Sequence, residues 1–270
     1  MTVTGHGTDT DTVRALRGLE DDRASVRLRA ALAVGSTPDP RFVGTLVERC
    51  AVEPEFFVRD MLTWALTRHP VSVTLPRLLR EVRSEGTRAR SQALHTLSKI
   101  GDRRAWPAIT RALLTDADDE VARSAWRAAV VLVPEGEEAA LAALLTTQLG
   151  RGGRETRLSL SQALVALGDA MAPSVAAATR DPEPLVRAHA LATQRLLRDP
   201  DAGFTLAVEE AKRVVALGGH GGSSDSGGSH GSSGSAGSSG SAGSSGSAGS
   251  SGSAGSSGII GSGGSLEEGP

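Results

Sequence analysis

The residues of this chain best suited to chemistry are arginines set at near-constant intervals. Arg27, Arg59, Arg90, Arg157 and Arg187 form a series, and Arg123 stands one place after Ala122, where the series lacks an arginine. The anchor positions 27, 59, 90, 122, 157 and 187 lie 32, 31, 32, 35 and 30 residues apart. A guanidinium is a planar fork of five N–H donors that stays charged and grips carboxylate or phosphate two bonds at a time. A groove lined by such a column would hold an acidic peptide or a phosphate. Tryptophan is the other residue type enriched at binding hot spots. Here it is scarce, with three Trp, four Phe and no Tyr. Trp64 and Trp126 follow their anchors by five and four residues. For these two and for Trp106, core packing is expected ahead of a binding surface.

Other chemistries find less support. His69, His95 and His189 are scattered over three repeats and read as surface or capping residues. No His is followed by Glu, and no Cys/His spacing suits zinc, so neither metal nor cofactor is expected. Cys50 is the sole cysteine, placed for packing near a helix end, and no disulfide can form within the chain. No nucleotide loop or nucleophile elbow is present, and Gly150-Arg151-Gly152-Gly153 reads as a turn. A non-enzymatic role follows as the expectation.

The anchors fall in Ala/Leu-rich segments such as Ser25–Leu32, Phe57–Trp64, Ala89–Leu94, Glu120–Trp126, Thr156–Leu160 and Leu185–Ala190. Between them lie amphipathic stretches at Pro40–Ala51, Val73–Arg83, Ala105–Leu114, Glu137–Leu149 and Ala172–Thr179, with apolar residues at helical spacing. Prolines 38, 40, 54, 70, 107, 134, 182 and 184 stand near helix starts or joints, and Gly86, Gly101, Gly136, Gly152, Gly153 and Gly168 mark turns. Asp118, Asp119 and Asp181 can cap the helices that follow. One helix pair cannot bury its apolar face alone, so stacked repeats must share a core. Thr8–Glu20 and Phe204–Leu217 are the expected terminal helices.

Charge excludes little and favours little. The tail carries three acids and no Lys or Arg, which leaves 29 basic against 28 acidic residues before it. A near-neutral domain argues against nucleic acid as the partner. No run of about 18 apolar residues suggests a membrane span, and the polar N-terminus lacks the pattern of a signal peptide. A reducing cytoplasm and a monomeric state are the expected setting.

The pattern of acid, Val-Arg and Ala-Ala-x-Ala-Leu, clearest at 22–35, 86–102 and 181–191, resembles HEAT repeats of the short bacterial type. The resemblance implies an all-α fold: a right-handed α-α superhelix, a solenoid of about six helix pairs over residues 8–217. It also implies a structural use for the anchor arginines, pairing with acids in inter-helix turns as a ladder between repeats. Asp22, Asp118 and Asp181 are the partners it suggests. The stretch Val58–Pro76 is similar to a HEAT-like segment behind the DNA-binding domain of some MerR-type regulators, which implies a small-ligand sensor as an alternative. HEAT-like DNA glycosylases and chromophore lyases are further alternatives. The implied function is a non-catalytic, regulatory scaffold for a protein or peptide partner.

Residues 1–7 and 218–270 differ in composition and are expected to be disordered. Residues 231–254 are four copies of Gly-Ser-Ser-Gly-Ser-Ala, and Ile259-Ile260 and Leu266-Glu267-Glu268 break the pattern. A native or engineered linker and a tethered docking peptide both fit this composition.

Overall fold

A computed structural model describes residues 14–199 and residues 208, 209, 212, 213 and 215. The N-terminal segment 1–7, the tail 218–270 and most of the expected helix Phe204–Leu217 lie outside the described residues. Residues 14–19 are helical.

The anchor segments form the long helices. They are α1 (Ala24–Ser36), α3 (Phe56–Arg68), α5 (Thr87–Ile100), α7 (Asp119–Leu132), α9 (Arg154–Ala166) and α11 (Pro184–Arg198). Between them lie α2 (Val43–Val52), α4 (Val71–Glu81), α6 (Arg111–Leu114), α8 (Glu138–Thr146) and α10 (Ala172–Ala178). Three 3₁₀ turns, Pro40–Phe42, Arg103–Ala108 and Gly168–Met171, complete the connections. Among the described residues there is no strand, and no single helix is long and apolar enough to cross a membrane.

The stretch 105–114, expected as one helix, is two pieces. Pro107 has no N–H to donate and sits in the 3₁₀ turn. The chain then leaves helical geometry at Ile109, and the Thr110 hydroxyl accepts from Leu113 N–H at 3.4 Å to start the short α6. Asp118 starts α7 as the sequence suggested. Its Oδ1 accepts from the N–H groups of Glu120 and Val121, whereas Asp181 Oδ1 accepts that of Glu183 in the turn before α11.

The anchor helices lie side by side in chain order, each against the next, and the intervening helices form a second layer. One apolar core runs between the layers, from Leu19 and Val34 through Leu66, Leu97 and Leu132 to Leu164 and Val175. The helix α7 is buried nearly all round, with Val121, Ala125, Trp126, Ala129 and Leu132 each fully enclosed. The seams between anchor helices are uneven. The α1/α3 and α5/α7 seams are close, whereas α3 and α5 touch much less. Gly35 permits the α1/α3 approach: a Cβ there would stand 2.3 Å from Cζ3 of Trp64 and 2.9 Å from the Ala65 backbone. Gly101 closes α5 with φ +69° and donates its N–H to the Leu97 carbonyl, a left-handed cap that glycine adopts without steric cost.

Candidate functional site

The anchor arginines share one local use. Each of four reaches back over the turn before its own helix and donates through Nη1 to the carbonyls six and five residues earlier. Arg27 bonds the carbonyls of Asp21 and Asp22, each at 2.8 Å. Arg59 bonds those of Glu53 and Pro54 at 3.0 and 2.6 Å. Arg90 bonds those of Ser84 and Glu85 at 3.0 and 2.9 Å. Arg187 bonds those of Asp181 and Pro182, each at 2.7 Å. These turn carbonyls have no intrahelical donor, and a charged N–H serves them well.

Two anchors also tie one repeat to the next, but not through the expected acids. Arg27 donates to both oxygens of Glu53 at 2.7 Å, and Arg49 donates to Glu53 Oε2 as well. Arg90 reaches Asp116 at 3.3 Å. The Asp118 carboxylate is occupied as a helix cap, that of Asp181 takes the Glu183 N–H in the turn before α11, and Asp22 contributes its carbonyl. In both real pairs the acid lies 26 residues after the arginine. Glu53 is fully buried. Burial pushes its carboxyl up, but hydrogen bonds from Arg27, the Glu55 N–H and Arg49 outweigh this and hold it at about 2.

The repeat without an anchor arginine is served from outside. Arg151 donates to the Asp116 carbonyl, six residues before Ala122, and to Asp119 Oδ1 at 2.9 Å. Thr156 binds the other Asp119 oxygen at 3.0 Å. Arg123 is therefore released from the turn. Arg157 is also outside the pattern: among the described residues its guanidinium makes no bond, and its carbonyl takes a hydrogen bond from His189.

Arg123 faces a cavity of about 150 Å³ where α3, α5 and α7 meet, over the loosest seam. Arg59 and Asp60 line it from α3, Ser91, Gln92 and His95 from α5, and Glu120, Arg123, Ser124 and Arg127 from α7. Phe56 forms its lip and packs edge-on against Phe57, ring centroids 5.6 Å apart. The two rings are 64% and 75% exposed. The Arg59 guanidinium lies 6.0 Å from the Phe56 ring centre and makes no ion pair. Arg127 bonds Ser124 Oγ at 3.2 Å. The surrounding protein, then the charge of Arg123, lower the Arg127 pKa, although the side chain keeps solvent access. Burial, then Arg127 and Lys99, lower His95 to about 4, so its imidazole is neutral at pH 7.

The tryptophans do not line this cavity. Trp126 is fully buried, its indole N–H on the Leu114 carbonyl at 2.8 Å, so it is a core residue and not a contact for a partner. Trp106 donates to Glu137 at 3.1 Å. Trp64 is 38% exposed and covers Gly35.

Of the histidines read as surface or capping residues, His69 caps the end of α3, its Nδ1 on the Ala65 carbonyl at 2.7 Å, whereas His189 is a buried network residue. His69 and His189 are 3% exposed. Nδ1 of His189 accepts from the Gly150 N–H, so Nε2 carries the proton and donates to the Arg157 carbonyl, each at 3.0 Å. Burial first of all holds His189 at about 4. Ser161 and Thr193 complete this buried network. Cys50 is buried within α2 and its thiol is pushed up to about 12 by burial, which suits packing rather than nucleophilic attack. Among the described residues no three His, Cys, Asp or Glu side chains gather as metal ligands.

Two pocket residues that the sequence did not single out, Gln92 and Arg127, become visible once repeats are aligned on their anchors, and His95, named there only as a scattered histidine, joins them. Positions one, two and five after the anchor are Ser91, Gln92 and His95 in α5, and Arg123, Ser124 and Arg127 in α7. They form one stripe along adjacent helices. No protein-family model matches this chain, and no curated protein matches it in sequence.

Proposed function

We propose that this chain is a non-catalytic scaffold of the HEAT-repeat type that binds a regulatory protein or peptide partner, and that the partner's acidic segment docks at the Arg59/Arg123/Arg127 cavity. One observation carries this reading: among the described residues Arg123 and Arg127 make no ion pair, while the anchor arginines Arg59 and Arg90 around them are engaged in turns. Arginines without a direct ion pair, beside the exposed Phe56 and its neighbour Phe57, are the composition of a binding hot spot. An acidic residue with an apolar neighbour would satisfy both. The setting we propose is a monomer in a reducing cytoplasm.

The other readings fit the site less well. A small-molecule sensor calls for an apolar pocket walled by tryptophan, and this cavity is polar and lined by none. A glycosylase calls for a buried acid beside an exposed Trp, and the buried acid here, Glu53, is bonded on both oxygens in the first seam.

The test is a positional library of nonapeptides bearing Asp, Glu or phosphoserine at each position in turn, read by fluorescence anisotropy against the full chain. Binding should require an acidic group next to an apolar residue. It should weaken about tenfold or more in Arg123→Glu, as expected for a reversed charge at a charge-assisted contact. A library with no binders, or binders indifferent to Arg123→Glu, overturns the reading.

A further inference from the structure

The pocket holds more hydrogen-bond donors than the protein itself satisfies. Ser91 is 1% exposed, and its hydroxyl has no hydrogen-bond partner. The buried Nε of Arg123 also has none. Both line the cavity. Buried polar atoms in native proteins are almost always paired; these two are closed to solvent as the structure stands, so a polar guest bonds them only once the lining side chains turn toward it. Arg59 donates only through Nη1, which leaves the rest of its fork free, and Arg127 bonds one hydroxyl. Asp60 and Glu120 are the acids of the lining, and neither forms an ion pair with these arginines.

The direction of these donors discriminates between anions. They come from three helices: Arg59 from α3, Ser91 and Gln92 from α5, Arg123 and Arg127 from α7. A carboxylate is planar, carries one charge and is well served by a single guanidinium. A phosphomonoester presents three terminal oxygens in a tetrahedral arrangement and carries nearly two charges at neutral pH. Three arginines against Asp60 and Glu120 leave the lining net positive, and their origin on two helices with Ser91 and Gln92 on a third suits that spread of oxygens. Donors that reach one cavity from three helices suit a tetrahedral oxyanion better than a lone carboxylate.

We propose that the cavity is a phosphate site, and that it receives a phosphomonoester carried by the docking peptide. This rests on the reading of the cavity as the docking point and goes further by naming the group bound. Arg123 and Arg127 hold the dianion, Ser91 turns its hydroxyl toward it on binding, and the Phe56–Phe57 pair receives the flanking apolar residue. The neutral His95 lies in the same wall. The charged groups facing it are Arg59 and Asp60 from α3, Lys99 from its own helix, and Glu120, Arg123 and Arg127 from α7. A bound dianion offsets the cations among them, so the His95 pKa rises on binding.

The probes are three nonapeptides that share one apolar flank and carry phosphoserine, Glu or Ser at the centre, together with inorganic phosphate. Each is titrated into the full chain by calorimetry at low salt. The phosphoserine peptide should bind about tenfold or more tightly than the Glu peptide, and inorganic phosphate should compete only weakly. Arg123→Met and Arg127→Met should each cost about tenfold, and Ser91→Ala a smaller factor. Arg127 reaches solvent, so its loss leaves the core intact. The His95 ring resonances should titrate at higher pH with the phosphopeptide bound, which a purely structural histidine would not show. If the Glu peptide binds as well as the phosphopeptide, the phosphate assignment falls and the docking reading stands. If inorganic phosphate binds as tightly as the phosphopeptide, and Arg123→Met abolishes both, the site is a phosphate site for free phosphate and the peptide reading falls. If none of the probes binds, both fall.

Discussion

Arg27 and Arg123 lie in the same fold, each at or beside an anchor position, with opposite surroundings. Arg27 is enclosed between the first two repeats, and every direction of its fork is used: two carbonyls behind it and both oxygens of Glu53 ahead. Arg123 has no carbonyl and no carboxylate, because Arg151 has taken the turn carbonyl that an anchor in its repeat would bind. The difference is one residue of helix rotation. The anchor position looks back into the turn, and the next position, about 100° further round, looks into the cavity. Residue type alone does not assign a role to an arginine here; the acceptors within its reach do.

The contrast is broken most strongly at Glu53. Glu53→Ala leaves the enclosed Arg27 charge without its carboxylate and should cost about 3–5 kcal/mol of stability, read from urea midpoints. The loss in Phe56→Ser/Phe57→Ser should by comparison stay within about 0.5 kcal/mol per site, because both rings are exposed.

Acid should act on the structural network first. His189 is held at about 4 when folded against an ordinary value of 6.5. As pH falls below 6.5 the unfolded chain takes up this proton and the folded chain does not. Stability is therefore full above 6.5 and declines down to about 4, by of order 3 kcal/mol. Glu53 adds a second loss at lower pH: its contribution is present above about 4.5 and disappears as pH falls toward 2. His95, held as low, loses stability over the same window, so thermal melts between pH 7.5 and 4 should show both, and His189→Asn should reduce the decline by about half while lowering stability at neutral pH.

Gly35→Ala sharpens the contrast between seams. The close α1/α3 approach has no room for a methyl group beside Trp64. The substitution should cost about 1–3 kcal/mol in melting experiments.

Much of the architecture is legible in the spacing of a few residues. The anchor interval places all six long helices, and Asp118 announces the helix it caps, whereas Asp181 only braces the turn before α11. The break at Pro107 is also present in the sequence, although the apolar spacing around it reads as one helix. Buried and exposed tryptophans are harder to separate. Trp64 and Trp126 differ by one place relative to their anchors, and that rotation sends Trp126 into the core and leaves Trp64 at the surface. The cavity is less legible still, since its residues come from three helices and meet only because α3 and α5 pack loosely. The exchange of Arg151 for the missing anchor at Ala122 depends on a turn folding back across a repeat, which no local pattern encodes.

The most direct measurement compares urea denaturation of Arg27→Met and Arg123→Met. Arg27→Met should lower stability by about 3 kcal/mol or more, since it strips two turn carbonyls and a buried carboxylate of their donor. Arg123→Met should leave the midpoint unchanged or raise it, since it removes an unpaired charge beside Arg127. Equal losses in the two variants would contradict the division between arginines that hold the fold and arginines left free to bind.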